Sequence, residues 1–388
     1  MIDSLQEEFR RIYKGDPEYL FFAPGRVNLI GEHTDYNGGM ALPVAISQGT
    51  WLLVSRNDKH KFVLRSLNVD DYAEVLVSPH YRRTNIDWVN YPLGVISRFT
   101  QLKDDGTSGL NMLFSGNIPR GAGLSSSASV EMATAFALNQ IFEAGFGKME
   151  LVRMAVEAEN DFVGVKSGIL DQYAVTFGEK NTALALDCSS VSHTPVPCKL
   201  GEYTLMVINT NKTRSLTDTR YNERFAQCRQ ALGYLQQESP ISELCELSPE
   251  QFENLRQLIP DPVLARRAQH VIEENDRVKQ AVSALKKDDL ELFGQLMFDS
   301  HASLRELYEV TGRELDLVVE ISQRKGVAGA RMTGAGFGGS AIALVHQAEL
   351  KNFRKLVMSE YKKVTGYEPQ LFPVKIADGV KQLTRQLR

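Results

Sequence analysis

The sequence predicts an α+β protein of two domains, on three observations. The chain has 388 residues, more than one apolar core usually serves. Its candidate strands cluster instead of alternating regularly with helices, which argues against a doubly wound parallel sheet. The stretch from about Leu216 to Gln323 reads as mostly helical.

Each element follows from local pattern. The N-terminal MIDSLQEEFRRIYKG reads as a short amphipathic helix with Leu5, Phe9 and Ile12 on one face. It carries acidic residues and no apolar h-region, so it does not read as a secretory signal. Strands are expected at Tyr19–Ala23, Met40–Ile46, Thr50–Arg56, Lys61–Ser66 and Ala73–Val77, with turn residues between them. A helix over Trp88–Leu102 and a strand over Leu110–Phe114 lead to a Gly/Ser-rich loop, residues 121–129, and an apolar run up to Phe142. In KMELVRMAVEAENDFVG, residues Leu151, Ala155, Ala158 and Phe162 form the stripe of a buried helix face. Glu159 falls on that stripe, where a carboxylate is costly unless paired or metal-bound. The residues alone favour an ion pair with a neighbouring Arg or Lys. Strands recur at Ala183–Asp187 and Thr204–Thr210. The stretch Cys188–Lys199, with Pro195 and Pro197, is the expected domain junction, dividing the chain into residues 1–195 and 196–388. A Gly-rich loop, a strand at Ala341–Val345, a helix and a strand near Gln370–Ile376 follow.

Composition narrows the function classes. Lys plus Arg is 44 and Asp plus Glu is 48, a formal net charge of −4, which gives no support to a nucleic-acid or anionic-membrane partner. No stretch approaches the roughly 18 apolar residues of a spanning helix, so a cytoplasmic protein is expected. Cys188, Cys198, Cys228 and Cys245 form no Cys-x-x-Cys pair, and four free reduced thiols are expected.

Four segments carry candidate chemistry. Gly121-Ala-Gly-Leu-Ser-Ser-Ser-Ala-Ser129 precedes a helix, and backbone N–H groups at a helix start favour bound phosphate. No Gly-Lys-[Ser/Thr] follows, so this is not a Walker A loop; a Ser hydroxyl there can ligate Mg²⁺. A Gly/Ser connector with a Ser N-cap explains the same residues. In residues 25–39, Arg26, Glu32, His33 and Asp35 are packed among Gly25, Gly31, Gly38 and Gly39. Carboxylates beside an imidazole suit a ligand with several hydroxyls. A hairpin turn accounts for Asn37 and Gly38 but not for the four polar residues together. Asp171, in Gly168-Ile-Leu-Asp-Gln172, either starts a helix or, near a cation, orients a hydroxyl. The last is Thr333-Gly-Ala-Gly-Phe-Gly-Gly339.

Together GRVNLIGEHTDYNGG, GAGLSSSAS, AEN…GILDQ, NTNKTRSLTDTRYNERFAQC and RMTGAGFGGS resemble the galactokinase branch of the GHMP kinases, in family order and over nearly the whole chain. The resemblance implies a two-domain fold with the active site in the cleft between domains. It assigns Gly121, Ala122, Gly123, Leu124, Ser125, Ser126 and Ser127 to the ATP phosphates, with Ser66 near the nucleotide, and makes Ser127 and Glu159 the Mg²⁺ ligands, in place of the ion pair favoured above. Asp171 matches the catalytic base and Arg26 its partner, which stabilises the transferring phosphoryl group. Glu32, His33, Thr34, Asp35 and Tyr221 match the sugar-binding residues. Ser167 and Ser340 stand where many relatives carry Cys, and Phe225 replaces a common Arg. The implied reaction moves the ATP γ-phosphoryl to the anomeric hydroxyl of galactose, in a monomer or weak homo-oligomer. A kinase for N-acetylgalactosamine or arabinose, or a silent galactose/ATP sensor, are the alternatives.

Overall fold

The computed structural model describes residues 2–99, 109–119, 121–165, 167–212 and 217–384. Helix α1 (Ile2–Tyr13) buries Leu5 and Phe9 against Leu20, Leu53 and Leu113, the stripe its sequence predicts. Strands β1 (Tyr19–Asn28), β2 (Met40–Ala41), β3 (Pro43–Asn57), β4 (Lys61–Ser66) and β5 (Val69–Leu76) follow. Next come α2 (Asp87–Arg98), β6 (Gly109–Gly116), α3 (Ser126–Ile141), α4 (Lys148–Glu157) and α5 (Leu170–Phe177), with a π-helical turn, Ala158–Val163, after α4. Strands β7 (Thr182–Asp187), β8 (Ser192–Pro197) and β9 (Tyr203–Asn209) lead to the helices α6 (Thr217–Leu235), α7 (Pro249–Leu255), α8 (Pro262–Lys286), α9 (Leu290–Ser303) and α10 (Arg313–Arg324). A second π-helical turn, Leu304–Tyr308, follows α9. Strands β10 (Gly329–Thr333) and β11 (Ser340–His346), helix α11 (Leu350–Thr365), and strands β12 (Gln370–Val374) and β13 (Lys381–Thr384) complete the fold.

Two main sheets carry the cores. The first has strand order β13-β1-β3-β6-β4-β5, antiparallel except where β4 meets β6. Side chains alternate across it. Phe21, Leu52, Val54 and Met112 pack under α2, α3 and α4, while Leu20, Leu53 and Leu113 face α1. The second sheet has the order β10-β11-β9-β12. One face, with Met206, Ile208 and Ala343, meets the C-terminal helices. The other, with Leu205, Val207 and Ile342, shares a core with Val27, Leu29 and Val44 from β1 to β3, and this apolar seam joins the two halves.

The expected boundaries shift at four places, each for a local reason. Strand β1 continues past Ala23, because Pro24 and Gly25 form a register shift against β3 instead of a break. Met40–Ile46 and Thr50–Arg56 are replaced by the short β2 and one long strand, β3, which runs through Ser47 and Gln48. Residues 192–197 of the expected junction form β8 against β7; both prolines sit on an edge strand, where a missing N–H costs no ladder bond. Strand β13 returns from the C-terminal end to pair with β1, so a single cut after residue 195 does not describe the first sheet. Part of the expected Trp88–Leu102 helix, and Leu216, lie outside the described residues. The four cysteines are free thiols.

Candidate active site

The Pro24–Gly25 irregularity is where the site begins. A Cβ on Gly25 would stand 2.6 Å from the Leu124 carbonyl oxygen, so only glycine lets β1 approach the phosphate-loop backbone this closely. Arg26 N–H donates to Leu124 O at 3.2 Å. The Arg26 guanidinium, nearly buried, turns to Asp171: Nε and Nη2 each lie 2.8 Å from Asp171 Oδ1. Its Nη1 donates to Gly123 O at 2.7 Å. Asp171 Oδ2 accepts from Ser125 Oγ at 2.6 Å. The three segments that were separate in sequence therefore meet at one carboxylate.

Gly121, Gly123 and Ser125 all have positive φ (71°, 71° and 58°), which folds residues 121–125 into a tight bend before α3. Carbonyls on this bend point into protein: Gly123 O to Arg26, Ala122 O to Ser340 Oγ at 2.6 Å. The opposite side of the bend faces a cavity of about 690 Å³ that it lines together with Arg26, Glu159 and Asp171. His33, Asp35 and Tyr221 line the same cavity, as do Gly334 and Ala335 of the C-terminal glycine-rich loop.

Glu159 lies in the π-helical turn after α4, a backbone irregularity of the kind that collects at functional sites. It is buried, yet its described partners are neutral donors: Ser167 Oγ at 2.5 Å and Gln172 Nε2 at 2.8 Å, both on Oε2, and the Ser127 hydroxyl. The ion pair that the residues alone favoured is absent among the described residues. Burial pushes its carboxyl above the usual range, and Asp171 adds to the shift. Gln172 Nε2 also donates to Glu131 Oε2 at 2.9 Å; burial and the nearby Glu159 push the Glu131 carboxyl well up.

The segment around Glu32 is wired into the other half. Glu32 meets Arg331 Nη1 at 2.5 Å, Asn28 Nδ2 at 3.0 Å and the Gly334 N–H at 2.9 Å. Burial pushes its carboxyl up while Arg331 pulls it back. Arg331, fully buried, also donates to Leu29 O and faces Glu274. Glu274 accepts from the Gly31 N–H, Ser300 Oγ and Arg277 Nε. Burial alone would raise the Glu274 carboxyl, but Arg277 and Arg331 outweigh it and hold it near about 2. His33 adopts φ 67°, and its Nδ1 meets Tyr36 Oη at 3.0 Å, which in turn meets Tyr308 Oη at 2.8 Å. Burial lowers the His33 imidazole to about 3, so the ring is neutral, and its buried Nε2 has no hydrogen-bond partner among the described residues. Asp35 sits beside the Gly168 backbone; burial, then the Asp171 charge, raise its carboxyl to about 6. The Tyr221 ring lies 5.8 Å from His33 and 5.3 Å from Tyr36.

Two sequence-derived residues stand elsewhere. Thr34 is fully buried and its Oγ1 bonds Gly31 O at 2.9 Å and Met40 O at 2.8 Å. It braces the turn and is not among the residues that line the cavity. Ser66 ends β4, its Oγ accepts from the Asn68 N–H, and it too is not among the lining residues. Conversely, Arg331, Glu274, Tyr308, Gln172 and Glu131 escaped the sequence reading. Glu131 carried a similar signal, since it is the sole charged residue of α3 and lies among its buried Ala and Met positions.

The chain is similar to known proteins over its whole length. A galactokinase galactose-binding signature matches residues 7–56, a GHMP kinase N-terminal domain residues 90–179, and a GHMP kinase C-terminal domain residues 281–362. The chain is 44% identical to a galactokinase of Clostridium acetobutylicum, covering 99% of both. It is 45% identical to one of Enterococcus faecalis, over 99% of this chain and 100% of that one. It superposes on the crystal structure of Lactococcus lactis galactokinase complexed with galactose with a TM-score of 0.92 at 42% identity, covering 98% of this chain and 100% of that one. Methanococcus jannaschii mevalonate kinase, at 20% identity and a TM-score of 0.68 over 93% and 99% of the two chains, shares the fold. With an arginine-clamped aspartate where a glycine-serine loop and a polar turn line one cavity, and with relatives of this identity over its whole length, the chain belongs to the galactokinase family of the GHMP kinases.

Proposed function

We propose that the chain transfers the γ-phosphoryl group of ATP to the anomeric hydroxyl of D-galactose, giving galactose 1-phosphate and ADP. The observation that carries this reading is Asp171, held by Arg26 and Ser125 where the phosphate loop and the His33–Asp35 turn line one cavity. Phosphoryl transfer asks chiefly for positioning and charge neutralisation. Asp171 Oδ2 takes one hydrogen bond from Ser125 and keeps an acceptor position for the sugar hydroxyl. It orients that hydroxyl and receives its proton as the new bond to phosphorus forms. Arg26 spends one edge on Asp171 and turns its remaining N–H groups to the equatorial oxygens of the transferring group. His33 Nε2, the Asp35 carboxylate and Tyr221 contact galactose, with Glu32 shaping the same wall from its ion pair with Arg331. Residues 121–127 receive the ATP phosphates, and Trp88, Tyr91 and Val130 offer an apolar surface to the base.

Ser127 and Glu159 suit Mg²⁺: both are hard oxygen donors beside the loop, and Glu159 is a buried carboxylate whose described partners carry no charge. When bound, the ion supplies neutralisation of the phosphate charge. No helix of the described residues is long and apolar enough to cross a membrane, and the reaction needs only small-molecule partners in a monomer or weak homo-oligomer in the cytoplasm. The domain boundary is placed after residue 195, with β13 added to the first unit. The test is ADP release on a panel of galactose, N-acetylgalactosamine and arabinose, with and without Mg²⁺. Galactose- and Mg²⁺-dependent ADP release is expected; sugar binding without ADP release would overturn the reading in favour of a sensor.

A further inference from the structure

We infer that Gln172 is a positioning residue of the phosphate-binding machinery: anchored on Glu131, it fixes the Glu159 carboxylate so that its other oxygen meets a divalent cation beside Ser127. The inference rests on the reading of Ser127 and Glu159 as cation ligands.

Gln172 is fully buried in the first turn of α5, directly after Asp171. Both hydrogens of its side-chain amide are committed to carboxylates, one to Glu159 Oε2 at 2.8 Å and one to Glu131 Oε2 at 2.9 Å. Ser167 Oγ donates to the same Glu159 Oε2 at 2.5 Å. A carboxylate oxygen accepts two hydrogen bonds, so Oε2 is saturated. Oε1 is then the oxygen left for anything that approaches from Ser127. Glu131 is fully buried one turn beyond Ser127 on α3, so the two lie on one face of that helix. Helices α3 and α5 thereby hold Glu159 from two sides.

The residue type matters. A lysine or arginine at position 172 would also orient Glu159, but it would neutralise the charge that a cation needs. An apolar residue would leave the buried Glu131 without its donor and Glu159 Oε2 with Ser167 alone. An amide orients the carboxylate and leaves its charge intact. Gln172 also shares its helical turn with Asp171, so one turn sets the sugar-facing base and the cation-facing acid in register. Outer partners of metal ligands commonly act in this way, and their loss weakens metal affinity by roughly 10–100-fold.

The test measures Mn²⁺ binding by electron paramagnetic resonance on the full chain with a non-hydrolysable ATP analogue, for the wild type, Glu159→Ala, Gln172→Leu and Ser167→Ala. Gln172→Leu is expected to bind Mn²⁺ about 10–100-fold more weakly, with KM for MgATP raised and calorimetric galactose affinity unchanged. Gln172→Leu at wild-type Mn²⁺ affinity, while Glu159→Ala loses the ion, overturns the role of Gln172 and leaves the ligand reading standing. Glu159→Ala at wild-type affinity overturns the ligand reading itself. Should Gln172→Leu fail to bind galactose and so prove misfolded, Ser167→Ala decides. Ser167 is the other donor to the same oxygen on a half-buried segment, and its loss is expected to weaken Mn²⁺ several-fold. Wild-type affinity in that variant also overturns the inference.

Discussion

The two walls of the cleft are built on opposite electrostatic plans. On the proposed sugar side, the buried acids Glu32 and Glu274 are matched by the buried Arg331 and the partly buried Arg277, beside the hydrogen-bonded ring chain His33–Tyr36–Tyr308. On the proposed phosphate side, Asp171 is paired with the Arg26 guanidinium, while among the described residues Glu131 and Glu159 are held by neutral donors. The first wall is balanced by the protein itself, so it can present a preformed surface to a neutral sugar. Among the described residues the second leaves two buried acids without a cationic partner, which a cation accompanying ATP would meet on the proposed reading. Such a division teaches where each kind of damage should appear: in stability and sugar affinity on one side, in turnover and cation dependence on the other.

The largest effect is expected on the phosphate side. Asp171→Asn keeps the shape of the Arg26 contact but removes the proton acceptor, and kcat should fall by roughly 10²–10⁴-fold or more while ATP still binds. Single-turnover rates with calorimetric ATP binding check this, and near-normal turnover would sink the assignment of Asp171. On the other wall, Arg331→Met leaves Glu32 and Glu274 facing each other in a dry interior. Removing one partner of a buried ion pair costs about 3–5 kcal/mol, so the melting temperature should drop and galactose KM should rise more than KM for ATP. Equal rises in the two KM values would show that the walls are not separable.

The same contrast explains what could be read from sequence. Residues 121–129 and 25–39 are short runs whose residue types suggest chemistry, whereas Asp171 alone reads equally as a helix start. The roles of all three, and the pairing of Asp171 with Arg26, came from the family resemblance. What holds the sugar wall did not, because Arg331 reaches Glu32 across most of the chain and looks, in GARMTG, like one polar residue in an apolar strand. Glu274 and Tyr308 come from helical turns whose neighbours say nothing about the cleft. Strand β8 was hidden by its prolines, which signal a linker unless the strand is known to be an edge. Thr34 is the opposite case: its neighbours His33 and Asp35 line the cavity, while its buried hydroxyl bonds the Gly31 and Met40 carbonyls.

A smaller effect sharpens the sugar wall itself. Burial and the Asp171 charge raise the Asp35 carboxyl to about 6. Ionised Asp35 accepts from sugar hydroxyls and its protonated form offers fewer acceptor sites, so bound galactose favours the ionised form. Galactose affinity should therefore be full above that pH and fall as pH drops through it, with the slope absent in Asp35→Asn, whose affinity is uniformly weaker. Calorimetry from pH 5 to 8 measures it, and a pH-independent wild-type affinity would place Asp35 outside the sugar contacts.

The smallest effect separates turn from ligand. Thr34→Val keeps the shape of a fully buried side chain and removes the hydroxyl that bonds the Gly31 and Met40 carbonyls. A lost buried hydrogen bond leaves an acceptor unmatched at a cost of about 1–3 kcal/mol, so thermal unfolding should shift downward by a few degrees. If the hydroxyl only braces the turn, galactose KM stays close to wild type, because His33 and Asp35 are also held by Tyr36 and by the short helical turn that starts at Asp35. A rise in galactose KM of about tenfold without loss of stability, equivalent to one direct hydrogen bond to the sugar, would return Thr34 to the binding surface.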